Sequence, residues 1–279
     1  MNLLGIDFED WFHPELVQKY ISNKKIEPKV IEGIDKIINL LHKYDTKATF
    51  FVVGELLKFK PELLDTILEN GHEIGFHTMK HTRIDTDNFK EIFRKEIKEF
   101  AILTNGKSKG FRAPSFSLNE KSSWVIDILN ENHYLYDSSV VPAKTNLYGI
   151  PNASRKPYRI SSQSLEKNSD DAKIIEFPLM VTKFFGKTIP AGGGFYLRTL
   201  PFHTIKKCIE SYEKQDIPGI FYVHSWELTP EYMPRMKLSK KDNFVTYHNL
   251  EKVPKKMSEL LENYDFTSFE EYIRKEIGN

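Results

Sequence analysis

The 279-residue chain predicts an α/β fold of parallel strands joined by crossover helices, either closed as a barrel or left as an open sheet. Two observations carry this. Short runs of apolar, β-branched and aromatic residues alternate with amphipathic helical segments along the whole chain. Residues able to do chemistry fall where those runs stop: Asp7 and Asp10, His77 and His81, Arg112, Asp137, and His224. In a barrel of parallel strands, active sites are built at that end of the sheet.

The elements follow in order. Leu3 to Phe8 is an apolar run ending in acids and reads as a buried first strand. After a loop holding Trp11, Phe12, His13 and Pro14, a helical pattern starts at Pro28 and ends near Tyr44, with Ile31, Ile34, Ile38 and Leu41 on one face. Lys47 to Val53 is rich in β-branched and aromatic residues, hence a second strand. Pro61 opens a short helix, and Gly71 stands where a C-cap glycine belongs. Glu73 to Phe76 is the third strand. A helix over 88–103 aligns Phe89, Ile92, Phe93, Ile97 and Phe100. Gly110 to Pro114 is a fourth strand stopped by proline. Asn119 caps a helix carrying Trp124, Val125, Ile128 and Leu129, and Tyr134 to Ser138 is a fifth strand. Residues 142–172 show no periodicity, and so long a loop is functional or mobile. Ile174 to Pro178 is a sixth strand, and Gly192 to Gly194 with Phe195 and Tyr196 forms a flexible, aromatic-tipped excursion. Pro201 starts a helix, and Ile217 to Val223 is a seventh strand ending at His224. A helix over 250–263, a short strand near Phe266 and a terminal helix complete the chain. No internal repeat or domain boundary appears, so residues 1–279 are expected to form one catalytic domain, a core over about 1–230 completed by 231–279.

Composition excludes several classes. Lys plus Arg number 40 against 39 Asp plus Glu, and no basic stripe stands out, which argues against nucleic acid as a partner. No apolar run is long enough for a membrane span, and no leader precedes the first strand, so a cytoplasmic location is expected. The single cysteine, Cys208, permits no internal disulfide and reads as helix packing. The Lys-rich stretch 237–241 reads as a solvated face.

The most specific pattern is His77-Thr-Met-Lys-His81. Residues four apart share one face of a helical turn, so both imidazoles can reach one metal ion. A catalytic site of the zinc type needs a third protein ligand, for which Asp or Glu is suited. His13, His42, His72, His133, His203 and His248 read as structural.

With these residues assembled, the sequence resembles the polysaccharide deacetylases, the NodB-homology family of carbohydrate esterase family 4. His77-Thr-Met-Lys-His81, led by Gly71-His-Glu-Ile, is similar to the family's H-[ST]-x-x-H metal motif. Arg112-Ala-Pro-Ser-Phe116 is similar to R-x-P-[FY], Asp137-Ser-Ser139 to the fourth motif, and His224 after an apolar strand to the last. Asp7-Phe-Glu-Asp10, Gly192-Gly-Gly-Phe-Tyr and His224-Ser-Trp-Glu-Leu resemble an exopolysaccharide-cluster subgroup with D-x-E-D in place of T-F-D-D. The resemblance implies a distorted (β/α)7–8 barrel and a metal-dependent N-deacetylase of polysaccharide biosynthesis. Asp7 would be the base. Arg112 would orient Asp7. His224 would protonate the departing amine, and Asp137 would fix the tautomer of His224. Asp10, His77 and His81 would hold one divalent metal, zinc first, with Co, Ni or Mn also suited. Strand alternation favours Glu9 as the carboxylate ligand, whereas a bulge at the strand end favours Asp10, which is the expected one. Trp226 is expected to wall the acetyl pocket, with Phe116 and Tyr196 also lining the substrate. The substrate would be an N-acetylated sugar, nucleotide-linked, lipid-linked or oligomeric. A deformylase or other linear or cyclic amide hydrolase, and a non-catalytic glycan-binding scaffold, are the competing readings.

Overall fold

The computed structural model describes residues 1–21 and 26–278. In chain order it holds β1 (Asn2–Phe8), α1 (Glu15–Gln18), α2 (Ile34–Lys43), β2 (Thr49–Val52), α3 (Gly54–Phe59), α4 (Glu62–Glu69), β3 (Glu73–Phe76) and α5 (Phe89–Leu103). Then come β4 (Gly110–Phe111), α6 (Trp124–Glu131), β5 (Tyr136–Asp137), β6 (Tyr158–Ile160), β7 (Ile174–Glu176), β8 (Val181–Phe184) and β9 (Lys187–Pro190). The chain ends with α7 (Gly194–Thr199), α8 (Phe202–Glu213), β10 (Ile220–His224), α9 (Ser225–Leu228), α10 (Lys240–Tyr247), α11 (Val253–Asn263), β11 (Phe266–Thr267) and α12 (Phe269–Tyr272).

The main sheet runs β10-β1-β2-β3-β4-β5-β7-β6, with β11 also pairing β1. All of these pairings are parallel except β6 on β7. Every residue of β1 is buried, as expected of a strand covered on both faces. The two ends of the sheet are joined by irregular backbone rather than by a strand pair. Leu179 N–H donates to Val140 O at 2.9 Å, Met180 N–H to Ile220 O at 3.2 Å, and Tyr222 N–H to Gly192 O at 2.6 Å. This is the distorted barrel that the sequence resemblance implied, with its helices packed outside on apolar faces such as Ile34, Ile37, Ile38 and Leu41 of α2.

Several local expectations are corrected. His77 and His81 do not sit on a helical turn: Thr78 and His81 have φ of 55° and 56°, and the chain makes an irregular turn. That turn is fixed by α3, which the sequence did not disclose. Gly54 N–H donates to Thr78 O at 3.0 Å and Glu55 N–H to Met79 O at 2.9 Å, while Glu96 of α5 accepts from Met79 N–H. The 142–172 segment contains β6, whose Tyr158 and Ile160 are buried. The Gly192–Gly194 stretch is ordered: Gly193 pairs with Tyr222, and Gly194 opens α7. The β8–β9 hairpin and α10, which starts inside the stretch read as a solvated face, were also not foreseen. Among the described residues, no helix is long and apolar enough to cross a membrane.

Candidate metal and catalytic site

The β1–β10 register puts Asp7 opposite His224 at the C-terminal ends of neighbouring strands. After Phe8 the chain tightens at once, with Glu9 N–H donating to Asp7 O at 3.1 Å. This turn decides which acid enters the site. Glu9, His77 and His81, all buried, bring their ligand atoms within 4.8 Å of one another. Asp10 does not join them, which corrects the sequence expectation. Its Oδ2 accepts from Lys29 N–H at 2.6 Å and Val30 N–H at 2.7 Å, and its Oδ1 from Trp11 N–H at 2.8 Å. Asp10 therefore clamps the loop after β1, and the alternative, Glu9, faces the histidines.

The three residues fit a divalent cation. His77 Nδ1 lies 2.7 Å from Arg112 O. A carbonyl only accepts, so Nδ1 carries the proton and Nε2 keeps its lone pair for the cluster. Burial pulls the His77 pKa down to about 4, so the ring is neutral, the form a metal needs. Glu9 Oε2 lies 2.7 Å from His81 Nε2 but without hydrogen-bond alignment, and this buried oxygen has no hydrogen-bond partner. Burial pushes the Glu9 carboxyl up, but His81, His224 and His77 outweigh it and hold Glu9 well below the usual carboxylate range.

Beside this triad, Arg112 is fully buried and its Nη1 donates to Asp7 Oδ1 at 2.7 Å. Its Nε and Nη2 bind Ser138 O and Oγ at 3.0 and 2.9 Å, and its guanidinium carbon lies 4.1 Å from the Phe51 ring centre. The guanidinium passes over Gly5 so closely that a Cβ there would collide with Nη1. One carboxylate oxygen of Asp7 is thus committed to Arg112, which leaves the other outside that ion pair.

His224 is the partly open member, 21 % exposed at its side chain. Its Nδ1 lies 2.8 Å from Glu227 Oε2, its Nε2 is 3.7 Å from Glu9 Oε1, and its ring stacks on Trp226 at 4.9 Å. Burial lowers its pKa, but Glu227, Glu9 and Asp7 outweigh that and raise it to about 9. Arg198 Nε binds the other Glu227 oxygen at 2.8 Å. Asp137 does not contact His224, a second correction. Its Oδ1 accepts from Ser139 Oγ at 2.5 Å, while Ser139 Oγ also accepts from Ala113 N–H. Across the β5–β7 register it faces Glu176. Burial raises the pKa of Asp137 to about 6 and that of Glu176 well above its ordinary value, the behaviour of two carboxyls sharing a proton. The orienter of His224 is Glu227, three residues on, in a capping-box arrangement. That spacing was visible in His224-Ser-Trp-Glu-Leu and could have revealed it.

Trp226 is buried behind the site, where its Nε1 donates to Glu9 Oε1 at 2.9 Å. Phe116 and Tyr148 line a neighbouring cavity of about 330 Å³ that also meets Arg83, Asn119 and Lys144. Phe116 packs on Tyr222 at 4.9 Å, and Tyr222 on His224 at 5.3 Å. Tyr196 OH lies 3.5 Å from Tyr148 OH on the same aromatic wall.

The polysaccharide deacetylase family model matches residues 30–134, and a domain of unknown function (DUF3473) matches 138–274. A peptidoglycan-N-acetylglucosamine deacetylase of Bacillus cereus is 35 % identical over 95 residues, 30 % of this chain and 41 % of that protein. The matched stretches span about a fifth to two fifths of the length of the curated relatives. A Mycobacterium smegmatis protein described as a polysaccharide deacetylase superposes with a TM-score of 0.57 at 15 % identity, covering 95 % of this chain and 86 % of that one. The allantoinase Puue superposes at 0.54 with 13 % identity, covering 98 % and 91 %. Each of the two family models matches less than half of the chain, and the superpositions show a shared fold.

Proposed function

We propose that this chain is a metal-dependent hydrolase that removes the N-acetyl group from an amino-sugar-containing glycan or glycan precursor and releases acetate. The observation that carries it is the convergence of Glu9, His77 and His81 with the Asp7–Arg112 pair and His224 at one end of the barrel. Glu9, His77 and His81 would hold the ion, and their N2O donor set suits zinc, with Co, Ni or Mn also accommodated. The ion supplies Lewis acidity, which makes water easier to deprotonate and an amide carbonyl easier to attack.

The chain's own residues do the rest. Asp7, held by Arg112, accepts the proton lost by the attacking water. His224, cationic beside Glu227, gives its Nε2 proton to the amide nitrogen as the C–N bond breaks, because that nitrogen cannot leave as an anion. Trp226 and Glu227 act as positioning residues, the first on Glu9 and the second on His224. Phe116 lines the neighbouring cavity, Tyr196 reaches its wall only through Tyr148, and both would face the sugar. Residues 1–279 act as one catalytic unit in this reading, since Arg112 of the first family segment meets Ser138 of the second, and Asp7, ahead of both, pairs with His224.

The test is acetate release from N-acetylglucosamine oligomers by the zinc-loaded protein, with formate release from N-formyl sugars as the control. Acetate release that disappears together with bound zinc in His77→Ala is expected. Unchanged zinc stoichiometry in that variant refutes the ligand assignment, and glycan binding without turnover identifies a scaffold.

A further inference from the structure

The β8–β9 hairpin stands outside the main sheet as its own two-stranded unit. Its tip is Lys183-Phe-Phe-Gly-Lys187. The two turn residues, Phe185 and Gly186, have φ of 46° and 77°. A turn with both central residues at positive φ prefers Asn, Asp or Gly first, and a bulky aromatic there is strained. Phe185 is also 91 % exposed, so packing within the chain does not account for it. Phe184 meets its edge at 4.6 Å.

Strand β8 of the same hairpin, up to Lys183, walls a cavity of about 390 Å³ that is also lined by Arg155, His203, Lys207 and Ser211. His203, Lys207 and Ser211 follow at four-residue spacing on one face of α8. Among the described residues no acidic side chain lines this cavity, and Arg155, Lys183 and Lys207 enter no ion pair. A chain with nearly balanced charge has here gathered cations alone, beside an aromatic tip held at a cost in backbone strain.

We propose that this hairpin and cavity form a docking surface for anionic phospholipid: Phe185 enters the interface, and Lys183, Lys207 and Arg155 receive the phosphate headgroups. Aromatic side chains favour the membrane–water boundary, and each lysine near an anionic leaflet adds attraction that salt screens. Ile217, on the cavity wall, precedes β10, and His224 ends it. Docking therefore holds the membrane contact and the catalytic mouth at opposite ends of one strand. The inference does not depend on which reaction the mouth performs.

The full chain is sedimented with phosphatidylcholine vesicles containing about 30 mol% phosphatidylglycerol, and with pure phosphatidylcholine. Binding to the anionic vesicles, weakened by added salt and at least about tenfold lower on pure phosphatidylcholine, is expected. Lys183→Ala/Lys207→Ala should lose about 25-fold, near fivefold per lysine, and Phe185→Ser about tenfold. These positions are exposed, and unchanged circular dichroism verifies the fold. Wild-type binding by either variant overturns the proposal, as does equal binding to both vesicles. Calorimetric binding of inorganic phosphate without vesicle binding also overturns it, marking a site for a free anion.

Discussion

Two of the barrel's buried glutamates, one at each end, behave oppositely. Glu9, at the C-terminal mouth, is held well below the usual carboxylate range. Glu73, the first residue of β3 and so at the other end, is pushed up to about 7. Desolvation is the largest influence on both and raises both. What differs is the company. Glu9 is ringed by the imidazoles of His81, His224 and His77. Glu73 accepts from neutral donors, Thr49 Oγ1, Tyr136 OH at 2.6 Å and Glu270 N–H at 3.0 Å, and the Glu270 carboxylate raises it further. Burial alone neutralises an acid, and a charged partner reverses that. At the mouth the imidazoles keep Glu9 charged, whereas Asp137 and Glu176, which lack them, are raised as Glu73 is, and Glu73 at the base fastens the C-terminal helix α12.

That contrast breaks most visibly at Asp7. Asp7→Asn keeps the shape of the mouth and removes the proton acceptor. Turnover should fall about a hundred- to ten-thousand-fold with zinc content unchanged. Full activity in this variant would remove the base role.

Next in size is the choice between adjacent acids. Glu9→Gln should weaken zinc binding by at least about a hundredfold, measured by competition with a chromophoric chelator. Asp10→Asn should leave zinc affinity intact and lower unfolding stability by about 1–3 kcal/mol, since Asp10 accepts from three backbone N–H groups. The opposite pattern would restore Asp10 as the ligand.

These two variants also mark how far the sequence could be read. The alternation of strands and helices disclosed the fold, because parallel strands joined by helices leave that periodicity in one dimension. The strand-end positions of Asp7, His77, His81, Arg112 and His224 were visible for the same reason. The choice between Glu9 and Asp10 was not, because it depends on a turn closed by Glu9 N–H on Asp7 O. The partner of His224 was assigned to Asp137 by resemblance, yet it is Glu227, supplied by a local cap. Helix α3 and the β8–β9 hairpin escaped notice because each is too short to show a period.

Glu227→Gln sharpens the comparison at the mouth with a smaller effect. Glu227 raises the His224 pKa to about 9 against burial, so His224 carries its proton at neutral pH. Because that value lies above the ordinary 6.5, the pair's contribution to stability is complete below about pH 6.5 and is lost as pH rises through about 9. Replacing the carboxylate by an amide should move the midpoint in the metal-free protein down by at least one unit, read from the imidazole proton resonances. Turnover should fall about tenfold. An unmoved midpoint would show that Glu9 and Asp7 suffice to charge the ring.

The smallest effect belongs to the other end. Glu73 has a folded pKa near 7, above the ordinary 4.5, so the folded state favours its neutral form. Its contribution is complete below about pH 4.5 and is lost as pH rises through about 7. The shift corresponds to about 3 kcal/mol at most, and relaxation around the carboxylate will reduce it. Glu73→Gln keeps a neutral group that can still accept from Thr49, Tyr136 and Glu270. Its melting temperature should therefore lie within about a degree of wild type at pH 5 and a few degrees above it at pH 8. Turnover should not change at either pH, because Glu73 sits a strand's length from His77. A variant that melts below wild type at pH 8 would mean that Glu73 is charged when folded. The two ends would then differ in geometry but not in the principle that sets their charge.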